Sequence, residues 1–230
     1  MVYRLIHKTF VLPLAGLTAG FLTFGQTWPA TETPGERTAK RPLSGQRVEV
    51  LEELEQLEEF RRLVREHGGV SHSEIIPAGH RNNNVMQGLL FGDAHMEIDP
   101  VMFYDKENMQ FTAFYHLGHK LADEKESVHK GVLALMMDEA LCFCGFPTLP
   151  HKMGVTARLA IDFEREVPVN STVVLRAAVQ EAKGRKCVIR GTLEAVPRRG
   201  ETEPPAVYAR AECVLVEPKW FKYAIRMGFM

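Results

Sequence analysis

The chain has 230 residues, 45% of them hydrophobic and 25% charged, with a net charge of -1. That is an ordinary globular composition, long enough for one sizeable core plus an appendage. With no excess charge and no basic block interleaved with aromatics, nothing argues for a nucleic-acid partner. The four cysteines have no CxxC or Cys/His ligand spacing, so no metal or other cofactor is implied and reduced core thiols are expected.

In chain order, residues 1–28 are basic-led and acid-free: Arg4, His7 and Lys8 precede an apolar run to Gly25, and the first carboxylate is Glu32. A mitochondrial targeting segment, a membrane anchor and a secretory signal compete for this stretch. We take it as mitochondrial and membrane-attaching, with Trp28 as an interfacial anchor. Residues 29–46, punctuated by Pro34, Gly35, Pro42 and Gly45, read as an exposed linker.

From Val48 to His67, the residues Val50, Leu51, Leu54, Leu57, Phe60, Leu63 and Val64 recur at helical steps, and Gly68 and Gly69 stop the run. One amphipathic helix is predicted, its stripe packed on the domain. Up to residue 94 the text is irregular, with Ile75 and Ile76 the only strand candidate. His67, His72, His80 and His95 lack ligand spacing and are expected to be exposed or hydrogen-bonded. A long irregular segment also suits a cover over a ligand pocket.

Strands are predicted over Ala94–Tyr104 and Met109–Leu117, joined by a turn at Asp105–Asn108. Then comes the most hydrophobic run outside the N-terminal segment, Glu126 to Cys144. Val132, Leu135, Met136, Ala140 and Phe143 fall at three- and four-residue steps, which predicts a helix with one deeply buried face. Ser127 is the candidate N-cap, and Gly145 with Pro147 the stop. Four strand-like runs follow, Val155–Phe163, Thr172–Glu181, Cys187–Ala195 and Ala206–Val216, several of them alternating as in a one-sided antiparallel sheet. The expected class is α+β, a sheet wrapped around one long helix. The tail, 218–230, is aromatic and basic, suited to docking on the sheet or touching a membrane.

Asp138 is the residue that a plain core helix does not need. Two readings compete: Asp138 and Glu139 lie on the solvent edge of the helix, or Asp138 is a general base whose burial strengthens its grip on a water proton. No GxSxG elbow exists for a nucleophilic serine.

The stretch His129-Lys130-Gly131 with Asp138 nine residues after the histidine resembles the hotdog-fold acyl-CoA thioesterases of the phenylacetyl-CoA and 4-hydroxybenzoyl-CoA type. The likeness continues in the strand from Gly154 to Pro168, which carries Thr156, and in the hairpin Lys183-Gly184-Arg185-Lys186. It covers residues 95–217. The resemblance implies a hotdog fold and hydrolysis of an acyl-CoA, with Asp138 as general base or nucleophile and Thr156 orienting water. The Lys130 backbone N–H would polarise the carbonyl at the positive end of the helix. The family has glycine where this chain has Lys130. The alternative is therefore a catalytically silent hotdog domain that binds acyl groups or supports an assembly at a mitochondrial membrane. Lys183, Arg185 and Lys186 beside Gly184, and Arg198 with Arg199, are candidates for the CoA phosphates.

If both roles hold, assembly follows. Lys130 and Asp138 are eight residues apart, about 12 Å along one helix at 1.5 Å per residue. One carbonyl cannot touch both, so donor and carboxylate must come from different subunits across a two-fold axis. A homodimer, or a dimer of dimers, is expected.

Overall fold

Alternation along the strands decides which face of the sheet meets the helix. A computed structural model of the chain describes residues 46–76, 78–196 and 204–226. The targeting segment, the linker before Gln46, Arg198 with Arg199, and Phe229 in the tail lie outside the described residues.

Among the described residues seven strands form one antiparallel sheet in the order β1-β2-β3-β5-β6-β7-β4. They are β1 (Val70–Ser71), β2 (Val101–Asp105), β3 (Gln110–Leu117), β4 (Val155–Phe163), β5 (Ser171–Lys183), β6 (Lys186–Ala195) and β7 (Val207–Val216). The central helix, Lys130–Gly145, lies on the concave face. This is the hotdog arrangement, an antiparallel sheet around one long helix. Leu133, Met136, Met137, Ala140, Leu141 and Cys144 are buried against Phe111, Tyr115, Leu175, Ile189, Cys213 and Leu215. Val132, Leu135 and Phe143, expected on the deepest face, are only half-buried at its margins. Lys130–Thr148 is long and apolar enough to cross a membrane, the one such stretch among the described residues. Here its apolar face fills the sheet's concavity instead.

Where helical periodicity predicts one N-terminal helix there are two, α1 (Val48–Gln56) and α2 (Glu58–His67), parted at Leu57, whose backbone is extended at ψ 129°. The break lets Leu54, Leu57 and Phe60 all reach the same cluster on the convex face, with Phe103, Phe114 and Val174. Phe60 meets Phe103 and Phe114 edge-on at centroid distances of 5.5 and 5.3 Å, a favoured aromatic geometry. Arg176 clamps Glu59 of α2 with two bonds of 2.6 and 2.9 Å.

Ile75 and Ile76 do not form a strand. Residues His72–Ile75 make a helical turn, and the Ser71 N–H donates to Glu74 Oε2 at 3.2 Å. The pattern Ser-x-x-Glu is a helix-start signature that outweighs two β-branched residues. The first long strand starts at Val101 rather than Ala94, because residues 84–98 instead fold over the helix, burying Met86 and Met96 in the main core. The turn at 105–108 forms as its composition predicts, Asp105 Oδ1 accepting from the N–H groups of Glu107 and Asn108.

Candidate active site

Ser127 is not the cap of the central helix. Its hydroxyl donates to Glu166, and the N-cap is His129, whose Nδ1 accepts from the Gly131 N–H at 3.0 Å. The folded-back imidazole explains the glycine, since a Cβ at 131 would stand 2.9 Å from His129 Nδ1. With the Gly131 donor engaged, the Lys130 N–H is a first-turn donor with no acceptor inside the helix. The Lys130 side chain turns away to lie over the Phe163 ring, its Nζ 5.5 Å from the centroid.

Two turns along, Asp138 is half-buried, and Thr156 Oγ1 donates to its Oδ1 at 2.9 Å. A register shift makes this contact. Leu159, Ile161 and Phe163 lie opposite Cys213, Ala211 and Ala209, all facing the helix. Unbroken alternation would then send Thr156 to the convex side with Arg158. A bulge between Thr156 and Arg158 instead pairs Thr156 with Leu215, on the helix side. One extra residue, Ala157, thus turns Thr156 toward Asp138.

Cys142, four residues beyond Asp138 on the same helix face, brings its Sγ to 3.4 Å from Thr156 Oγ1. A hydrogen bond with Cys213 holds the Cys142 thiol below its ordinary range, against burial. The spacing of the cysteines does not single Cys142 out. The i, i+4 spacing to Asp138 was the available signal.

Glu139, the next residue after Asp138, enters a different environment. Its Oε2 lies 3.1 Å from Nε2 of the fully buried His72, off the line of the ring N–H, and its Oε1 accepts from Asn84 at 3.3 Å. Gln87 Nε2 stands 2.6 Å from His72 Nδ1 and donates to Asp99 Oδ1 at 3.0 Å. Since Asp99 only accepts, Gln87 must present its NH₂ group, so His72 Nδ1 is an acceptor and Nε2 carries the proton facing Glu139. Asp99 also accepts from the Ser73 N–H and hydroxyl.

The β5–β6 hairpin carries Gly184 at φ +59°, where a side chain would be strained. Arg185 spends its guanidinium on the Glu217 carbonyl at 2.8 Å, whereas Lys183 and Lys186 are exposed. Lys186 and Val155 both pair with Val216, so the hairpin sits at the Thr156 end of the sheet, with Lys186 about 10 Å across from β4. Among the described residues no His, Cys, Asp and Glu cluster could hold a metal ion.

The sequence description of the thioesterase superfamily matches residues 126–201. The chain is 41% identical to MIOREX complex component 3 of Saccharomyces cerevisiae over 256 aligned residues, 96% of this chain and 95% of that one. It is 44% identical, across 97% of both chains, to an uncharacterized mitochondrial protein of Candida albicans. Over 48% of this chain and 47% of the relative, it is 26% identical to acyl-coenzyme A thioesterase THEM4 of Rattus norvegicus. With the family match over the central helix and the strands after it, and relatives that align along nearly the whole length, the chain belongs to the thioesterase superfamily of hotdog-fold proteins.

Proposed function

We propose that the protein is an acyl-CoA thioesterase of the mitochondrion, hydrolysing an acyl-CoA to the free acid and CoA. The observation that carries this is the bond of 2.9 Å between Thr156 and Asp138 at a half-open edge of the core. Asp138 takes a proton from water, or attacks the thioester carbonyl itself, while Thr156 fixes the direction of approach. The carbonyl carbon becomes tetrahedral and its oxyanion is held by a backbone N–H at a helix N-terminus. On collapse the C–S bond breaks and the CoA thiolate leaves. On the general-base route it takes up the proton that Asp138 removed from water. On the nucleophilic route it takes a proton from solvent, while a water opens the Asp138 anhydride to release the free acid and restore the carboxylate.

The N–H comes from a second copy. β4 is an edge strand of nine residues, and its free side is the natural seat of a partner. Thr156 stands near one end of β4 and Phe163, with Lys130 over it, at the other. Two β4 edges paired antiparallel about a two-fold axis near Leu159 and Ala160 bring one protomer's Lys130 end beside the other's Thr156 and Asp138. The homodimer then has two equivalent sites. Exposed Lys183 and Lys186, at the Thr156 end, are the cations for the CoA phosphates. A mitochondrial setting is supported by the basic, acid-free N-terminus and by the name of the Candida albicans relative.

A second reading, a silent hotdog domain serving an assembly, is favoured by Lys130 in the glycine position and by the Saccharomyces cerevisiae relative, named as a complex component. Free-CoA release from short, medium, long and aryl acyl-CoAs decides between them, with the full-length chain beside Asp138→Ala and Lys130→Gly. Turnover lost in Asp138→Ala supports the hydrolase. An inert parent that gains activity in Lys130→Gly supports the silent domain.

A further inference from the structure

We propose that Cys142 is a positioning residue for the Asp138 and Thr156 pair: its thiol donates to the Thr156 hydroxyl and so keeps the hydroxyl proton directed at the carboxylate. The inference rests on the reading of that pair as the hydrolytic centre and adds a residue to it.

Its ground is a count of protons. Thr156 has one hydroxyl proton, and Oγ1 stands 2.9 Å from a carboxylate oxygen that, ionised, can only accept. With that proton committed, the 3.4 Å contact between Thr156 Oγ1 and Cys142 Sγ has one arrangement left, the S–H donating to an oxygen lone pair. The thiol is itself held from behind. Cys213, buried on β7, hydrogen-bonds to Cys142, and its own thiol is pushed far up while that of Cys142 is pulled down. The result is a row in which each donor has one proton and one acceptor, Cys142 giving to Thr156 and Thr156 to the carboxylate of Asp138.

A threonine hydroxyl without such a neighbour turns among its staggered positions, dividing its proton between the carboxylate and an incoming water. The thiol removes that freedom by occupying a lone pair on the side away from Asp138. Cys144 is no substitute: it is fully buried, its Sγ contacts the Met109 carbonyl at 3.7 Å, and burial pushes its thiol up to about 12.

Two measurements on the full-length chain test this. Cys142→Ala should lower kcat for acyl-CoA hydrolysis about three- to tenfold at unchanged KM, the size of one modest hydrogen bond. Cys142→Ser, which keeps a donor, should restore most of the loss; a Cys142→Ala enzyme equal to the parent overturns the proposal. Independently of turnover, infrared spectroscopy reads the S–H stretching band assigned to Cys142 by its loss in Cys142→Ala. In Thr156→Val, which removes the acceptor, that band should move to higher frequency, and an unmoved band overturns the proposal. A parent that hydrolyses nothing while the band still moves leaves the thiol's hold on Thr156 standing and brings down the hydrolase reading alone.

Discussion

Asp138 and Glu139 are neighbours in sequence with nearly the same chemistry, and the fold puts them in different surroundings. Asp138 faces β4, half-open, with one hydroxyl donor and an unpaired sheet edge beside it. Glu139, a hundred degrees round the helix, faces the wrapped segment, where His72, Asn84, Gln87, Asp99 and Ser73 form a polar network. A carboxylate with few partners is available for chemistry, whereas one held among several polar side chains is a fastening. The difference lies in what packs on each side of one helix, and variants that exchange or remove the two environments test it.

The largest effect is expected at Asp138. Asp138→Asn should reduce free-CoA release by about 10³-fold, the scale of a lost general base, while the urea midpoint stays near that of the parent. Glu139→Ala should do the reverse, costing about 2 kcal/mol of stability because it removes the acceptor of Asn84 and the carboxylate beside the buried His72. A Glu139→Ala protein that keeps its urea midpoint but loses turnover would break the comparison. On the convex side, Phe60→Ala should cost about 3 kcal/mol by emptying the aromatic contact that docks α2, read from the same midpoint.

A smaller change should follow Thr156→Val, which keeps the shape and removes the hydroxyl. A kcat about ten- to hundredfold lower, with little change in stability, is expected from losing one hydrogen bond to a charged group. If Thr156→Val instead destabilises strongly, Thr156 is a fastening like Glu139.

The smallest effect concerns pH. His116, on the convex side, is held below its ordinary value mainly by burial, against the pull of Glu97 and with help from Arg47. The unfolded chain therefore binds the proton more readily than the folded one. This group's contribution to stability is complete above about pH 6.5, the unfolded value, and is lost as pH falls through the folded value. His116→Asn should flatten the rise of the urea midpoint with pH in that window. An unchanged slope would place the sensitivity elsewhere, with the His151 and Glu217 pair the next to examine.

Much of this architecture is legible along the chain. Val155–Phe163 has the observed bounds, the other three late strands differ by one or two residues, and the apolar run from Lys130 to Gly145 is the core helix. These elements follow from local period and from stop residues such as Gly184, which act whatever the surroundings. The helical turn at residues 72–75 was also readable, in Ser71 and Glu74, and was hidden by the stronger β preference of the two isoleucines that follow. The break at Leu57 and the cap by His129 had no such local sign.

The sequence by itself determined the core helix and the four late strands, that a carboxylate sits mid-helix nine residues after a histidine, and that Cys142 follows it by one turn, because each is a matter of spacing along one element. Only the tertiary structure decided which side chains each carboxylate meets, that His72 is buried beside Glu139, and that Thr156 faces the helix at all. The last is the clearest case. Side-chain direction in a strand has a period of two, so its sense is fixed by pairing with β7, and the single extra residue at Ala157 reverses it for Thr156. No reading of one strand contains its neighbour's register.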